Sequence, residues 1–260
     1  MDSKRIIKNL EQLAPLSLAE PWDNTGLLIG RSNHEVKSVF LALDATEKVI
    51  DTAISLRADM LVTHHPLIFT EIKNILDDDF IGKRIIRLIE NNINYYTMHT
   101  NFDIAVMGKH AAKLLDLRQC EVLDVTQPNL PAPMGFGCTG QLGEPMSLRA
   151  CAEWVKEAFS IPNVTIFGDL DAVVRQVSVS PGSGKGMSNA ALKQASDVLI
   201  TGDIGHHEGI DAVAQGIFLI DAGHHGVEHI FVDYMKDYFK GNWQKIKVYT
   251  EENFSPFTVI

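Results

Sequence analysis

The chain is poor in cysteine, poor in basic residues relative to acidic ones, and has no long apolar run. Its three cysteines, Cys120, Cys138 and Cys151, are odd in number and fit neither a zinc-ligand spacing nor a redox pair. They read as reduced thiols of a cytoplasmic protein. Lys and Arg number 23 against 33 Asp and Glu, a formal net charge of −10. That speaks against a general nucleic-acid or membrane-surface binder, which carries a basic patch. An anionic small substrate stays open, because a bound metal reverses the local field. No stretch approaches the roughly 18 apolar residues of a membrane span. The N-terminal "MDSKRIIKNLEQLAP" has charges throughout and no apolar signal core. The glycine-rich stretch "SPGSGKG" (180–186) is not a Walker A sequence and lacks the G-x-G-x-x-G order.

What is present is an ordinary globular composition, 45% apolar and 22% charged over 260 residues. It can build a substantial core without a metal or disulfide for folding. Helical and extended patterns alternate. "SKRIIKNLEQLAP" is amphipathic, with Ser3 expected as N-cap. "SVFLALD" (38–44), "DMLVTHH" (59–65) and "INYYTMHT" (93–100) read as strands; "TEKVIDTAISLRA" (46–58) and "IGKRIIRLIENN" (81–92) read as helices. After a Pro/Gly-rich stretch, "QPNLPAPMGFGCTG" (127–140), alternation resumes. "SLRACAEWVKEAF" (147–159) and "VEHIFVDYMKDYFK" (227–240) read as helices; "VVRQVSVS", "SDVLITGD" and "GIFLIDAG" read as strands. The pattern predicts an α/β fold of two layered lobes with mostly parallel sheets, over 1–126 and 127–260.

The predicted strands share an ending. "FLALD" stops at Asp44, "MLVT" runs into His64 and His65, and "YYTM" into His99 and Asp103. "VSVS" runs into a glycine loop, "VLIT" into Asp203, and "IFLID" into His224 and His225. Ligands of parallel sheets bind beyond the carboxyl ends of the strands, so this clustering predicts a site there, between the lobes. Six of the ten histidines stand in doublets, at 64–65, 206–207 and 224–225. Imidazoles beside Asp103 and Glu228 suit zinc, manganese, iron or nickel. Adjacent side chains of a regular strand point to opposite faces. His64 and His65 can therefore share a site only if the backbone leaves strand geometry there, or if two metals are held.

Other motifs keep two readings. "GHHGVEHI" (223–230) holds two i,i+4 pairs, His224 with Glu228 and His225 with His229, and one helix face cannot carry both. Asp103 of "HTNFD" is either a ligand or the cap of the next helix. The loop "SPGSGKG", with Gly182, Ser183, Gly184 and Lys185, is either a phosphate cradle or a tight strand-to-helix turn. "PWDNTGLLIG" reads as a structural turn anchored by Trp22.

Together, "PWDNTGLLIG", "LALDAT", "ADMLVTHHPLIF", "HTNFD", "SPGSGKG", "SDVLITGDIGHH" and "DAGHHGVEHI" resemble the GTP cyclohydrolase 1 type 2 homolog family, the NIF-three-like proteins. The matching stretches run from 21 to 230, nearly the whole chain, and the length resembles the compact form that lacks an inserted middle domain. The resemblance implies two divalent metal ions per subunit, with His64, His65, Asp103, His224 and Glu228 as ligands and Asp103 bridging. It selects His224 and Glu228 over His225 and His229. It implies proton-transfer roles for His99 and His207, and a ring-like homohexamer. The implied activity is metal-dependent hydrolysis of a nucleotide-like molecule, with the imidazole ring of GTP opened and formate lost. The glycine loop and Lys185 would hold phosphate. A two-metal phosphoesterase uses the same parts. A metal-binding scaffold or regulatory protein without turnover is the competing class.

Overall fold

Helix α1 (Ser3–Leu13) is capped by Asp2, whose carboxylate accepts from Lys4 N at 3.0 Å. Ser3, the expected cap, is instead fully buried. Its hydroxyl donates to Ser32 O and accepts from His34 N, both at 2.9 Å, which fastens the helix start to a distant loop. The computed structural model describes residues 1–253 and 255–258. Its first stretch continues through β1 (Gly26–Ile29), β2 (Ser38–Ala42), α2 (Glu47–Ser55), β3 (Met60–Thr63), α3 (Phe80–Glu90), β4 (Asn94–Thr97) and α4 (Thr100–Phe102). Thr46 and Asp79 cap α2 and α3 through their side chains. A π-helical turn, Asp103–Met107, leads without a break into α5 (Gly108–Leu114). Asp103 therefore opens the π turn and is not a helix cap. Single π turns inside α-helices recur at functional sites.

The chain then forms β5 (Arg118–Gln127), β6 (Met134–Ser147), α6 (Leu148–Phe159), β7 (Thr165–Phe167), β8 (Val173–Ser183), α7 (Met187–Lys193), β9 (Val198–Gly202), α8 (His206–Ala214), β10 (Phe218–Asp221), α9 (His224–Glu228), α10 (Ile230–Asn242) and β11 (Lys247–Thr250). The expected helix over 227–240 is two helices, broken at His229.

The strands form two sheets, ordered β1-β4-β3-β2-β11 and β5-β6-β8-β9-β10-β7. The α/β reading with two sheets holds. In the first sheet β4, β3, β2 and β11 are parallel and only β1 runs against β4. The second sheet is mixed: β8, β9 and β10 are parallel, while β5, β6 and β7 attach antiparallel. Strands β2, β3 and β4 are buried along their whole lengths, as expected for parallel strands covered on both faces.

Two compact units result, Met1–Phe102 with Phe231–Phe254, and Asp103–Ile230 with Ser255–Ile260. The Pro/Gly-rich stretch expected to divide the chain near 126/127 does not separate them. Residues 128–133 are the turn of the β5–β6 hairpin, inside the second unit. Proline and glycine mark a reversal there, and a hairpin needs one as much as a linker does. The first core packs Phe40, Ile50, Leu61, Ile85, Leu88 and Tyr95, and the second Leu123, Ala191, Leu199, Ile217 and Leu219.

Candidate metal centre

The first sheet aligns its strand ends by register. Ala42 pairs with Thr63, and Thr63 with Thr97. The residues just past these positions therefore stand side by side: Asp44, His64 with His65, and Met98 with His99. Strand geometry stops at Thr63, and His64 and His65 occupy a bend. That removes the opposite-face problem, and the two rings lie 5.0 Å apart. Ring nitrogens of His64, His65 and His99 all lie within 4.8 Å of one another, close enough to hold a metal ion.

Each ring is held from behind. His64 Nδ1 bonds Met98 O at 2.8 Å, His65 Nδ1 bonds Asp44 Oδ1 at 2.9 Å, and His99 Nδ1 bonds Asp23 Oδ1 at 2.9 Å. This is the arrangement of metal-binding and catalytic imidazoles, in which one nitrogen is fixed by an acceptor and the other faces the site. Asp23 also accepts from Thr100 N at 3.0 Å and from the Thr100 hydroxyl. Burial pushes its carboxyl up, but the His99 and Thr100 hydrogen bonds and the His99 charge outweigh that, and it sits below the usual range. The turn motif at 21–24 thus does more than turn the chain: it orients His99. Asp44 and Asp23 were legible in the sequence only as a strand end and a turn residue.

The second unit repeats the device. Past β9 and β10, His224 Nδ1 bonds Asp203 Oδ2 at 2.7 Å and His224 Nε2 lies 2.9 Å from Glu228 Oε2. Asp203 takes a left-handed conformation, φ 58°, a strained geometry that persists where surrounding contacts enforce it. Asp221 fixes both flanking loops, accepting from Ile204 N and Gly223 N at 2.9 Å each. Glu228 is buried, and two glycines make room for this wall. A Cβ on Gly182 would stand 2.5 Å from Glu228 Oε1, and one on Gly202 would stand 2.5 Å from His224 N.

His225 and His229 stack on each other with centroids 5.1 Å apart, the other i,i+4 pair of the stretch. His207 is exposed on the first turn of α8, its ring against His206. In the glycine loop, Gly184 N donates to Gly202 O at 2.8 Å and Gly186 N to Glu208 Oε1 at 3.0 Å. These N–H groups serve the protein itself, which favours the tight-turn reading for Gly182, Ser183 and Gly184.

With this geometry in place the comparisons decide the family. The model of the Duf34/NIF3 (NGG1p interacting factor 3) family matches residues 1–256. The chain belongs to the Duf34/NIF3 family. A family relative from Clostridium acetobutylicum, named GTP cyclohydrolase 1 type 2 homolog, is 34% identical over 98% of this chain and 97% of its own. A Staphylococcus epidermidis relative of the same name, 25% identical, aligns over 340 positions and so carries sequence that this compact chain lacks. Among solved structures, a Bacillus cereus protein related to NIF3 matches with TM-score 0.90 and 25% identity, covering 100% of this chain and 99% of that one. Reduced HcgD from Methanocaldococcus jannaschii matches with TM-score 0.84 and 28% identity, covering 96% and 97%. Among the described residues no helix is long and apolar enough to cross a membrane.

Proposed function

We propose that this family member is a metal-dependent hydrolase of a nucleotide-like small molecule, with a dinuclear centre held by His64, His65, Asp103, His224 and Glu228. The observation that carries it is the set of imidazoles fixed through Nδ1 by Met98 O, Asp44, Asp23 and Asp203, the orientation that metal ligands need. The relatives' name, GTP cyclohydrolase 1 type 2 homolog, supports the substrate class. Asp103 follows His99 by four residues in the sequence, which supports assigning both to one centre.

Divalent ions held here would supply Lewis acidity and a bound water whose pKa falls towards about 7. The chain's own residues do the rest. The four acceptors keep the rings from turning. Glu228 stands in a buried position cleared by Gly182. His99, backed by Asp23, takes and returns a proton at Nε2, while His207 keeps only the place of a solvent-facing relay. Lys185 is the loop residue suited to hold phosphate as a point charge. We extend the reading to a cytoplasmic homohexamer on the resemblance alone.

The test is metal counting on the purified protein, then incubation with nucleotides and phosphoesters with and without chelator. Metal-dependent release of formate or phosphate, lost in Glu228→Gln, supports a hydrolase and tells ring opening from phosphoester cleavage. Bound metal with no turnover on the panel favours the non-enzymatic scaffold. His64→Ala and His224→Ala should each lower bound metal strongly, and His225→Ala and His229→Ala little. Equal loss from all four would sink the ligand assignment.

A further inference from the structure

Two large aromatic side chains stand exposed beside the histidine cluster, although burying them would be favourable. Trp22 is 56% and Phe69 55% exposed. Their centroids are 5.8 Å apart at 44°. Both meet His99 edge-on, at 6.0 Å and 71° for Trp22 and 6.2 Å and 64° for Phe69. The arrangement is built into the backbone. Asp23, next to Trp22, is tied to His99 and Thr100, and Asn24 Nδ2 donates to Ile68 O at 2.8 Å, next to Phe69. The two loops are thus joined to each other and to the cluster.

We propose that Trp22 and Phe69 form a stacking platform for a planar heteroaromatic ring, a nucleobase, whose polar edge is turned towards His99. The surface has the mixed character such a ring needs: two aromatic faces for its apolar plane and an oriented imidazole for its heteroatoms. The two rings already touch, so the ligand ring lies on their outer faces and not between them. Stacking of this kind tolerates different bases, because every base has a π-face. Selectivity for base over sugar then arises at 22 and 69, and not at the glycine loop. The platform rests on the hydrolase reading for what becomes of the ring, but not for its binding.

Binding without turnover separates the two. Equilibrium dialysis of the full chain, metal-loaded and chelated, against guanosine monophosphate and ribose 5-phosphate compares ligands that differ only in the base. We expect the nucleotide to bind at least tenfold more tightly than the sugar phosphate. Trp22→Ala and Phe69→Ala should each weaken the nucleotide about tenfold and leave ribose 5-phosphate and bound metal unchanged. Trp22→Phe should retain most of the affinity. Equal binding of both ligands, or nucleotide affinity unaltered in the double alanine variant, overturns the platform. So does a double variant that changes only the oligomeric state by sedimentation, since the pair is then an interface between copies. Base-dependent binding with no hydrolysis would leave the platform standing and remove the hydrolase.

Discussion

At the scale of single residues, the informative atoms are the ones behind the histidines. Four ring nitrogens are fixed by one carbonyl and three carboxylates. Removing such a partner lets the ring turn and lowers metal affinity by about 10–100-fold. We therefore expect Asp44→Ala and Asp203→Ala each to weaken metal binding by that order in competition with a chromogenic chelator, with secondary structure intact by circular dichroism. Unchanged affinity in both would show that the rings are held by packing alone. Gly182 is a second such position. Its φ of +89° and a Cβ only 2.5 Å from Glu228 Oε1 make Gly182→Ala a displacement of that carboxylate. Bound metal should fall in this variant, whereas Gly186→Ala, whose added Cβ meets nothing within 4 Å, should keep it.

At the scale of elements, both units use one local design. Asp59 before β3 accepts from Lys37 N and Ser38 N at the start of β2, at 2.8 and 2.9 Å. Asp197 before β9 accepts from Arg175 N and Gln176 N near the start of β8, at 2.7 and 2.8 Å. "ADMLVT" and "SDVLIT" are the two copies. Each aspartate sets the register from which the strand ends, and hence the histidines beyond them, follow. Asp59→Ala or Asp197→Ala leaves two backbone donors without their carboxylate, a loss on the order of 1–3 kcal/mol. Urea melts should show each variant destabilised by that order with an unchanged slope; no shift in midpoint would remove the aspartates from the design.

At the scale of the whole chain, residue 251 closes a loop of 208 positions. Glu251 follows β11 and accepts from Leu43 N at 2.5 Å. Burial pushes its carboxyl up to about 7, aided by Asp44 and opposed by the Leu43 N–H, His65 and Lys48. The unfolded chain releases this proton near the ordinary 4.5, the folded chain near 7. The folded state thus binds more protons across that window, and the group's contribution to stability falls as pH rises through it. Glu251→Gln should flatten stability against pH between about 4.5 and 7; a slope equal to wild type would assign the pH dependence elsewhere. The cysteines are consistent with their reading as plain thiols. Cys138 and Cys151 are buried, and burial raises them to about 11 and 12.

The sequence by itself determined the α/β alternation, the helical stretches after Thr46 and Ser147, and the strand-end concentration of His and Asp. Those are local properties: period and the residue that ends an apolar run. Only tertiary structure decided the rest. That Asp23 orients His99 joins residues 76 positions apart. That β11 completes the first sheet joins the ends of the chain. That Gly182 clears space for Glu228, and that "QPNLPAP" turns a hairpin inside one unit, are matters of which surfaces meet. Periodicity is written in neighbours along the chain, whereas hydrogen bonds and clearances are made between neighbours in space, and folding alone brings those together.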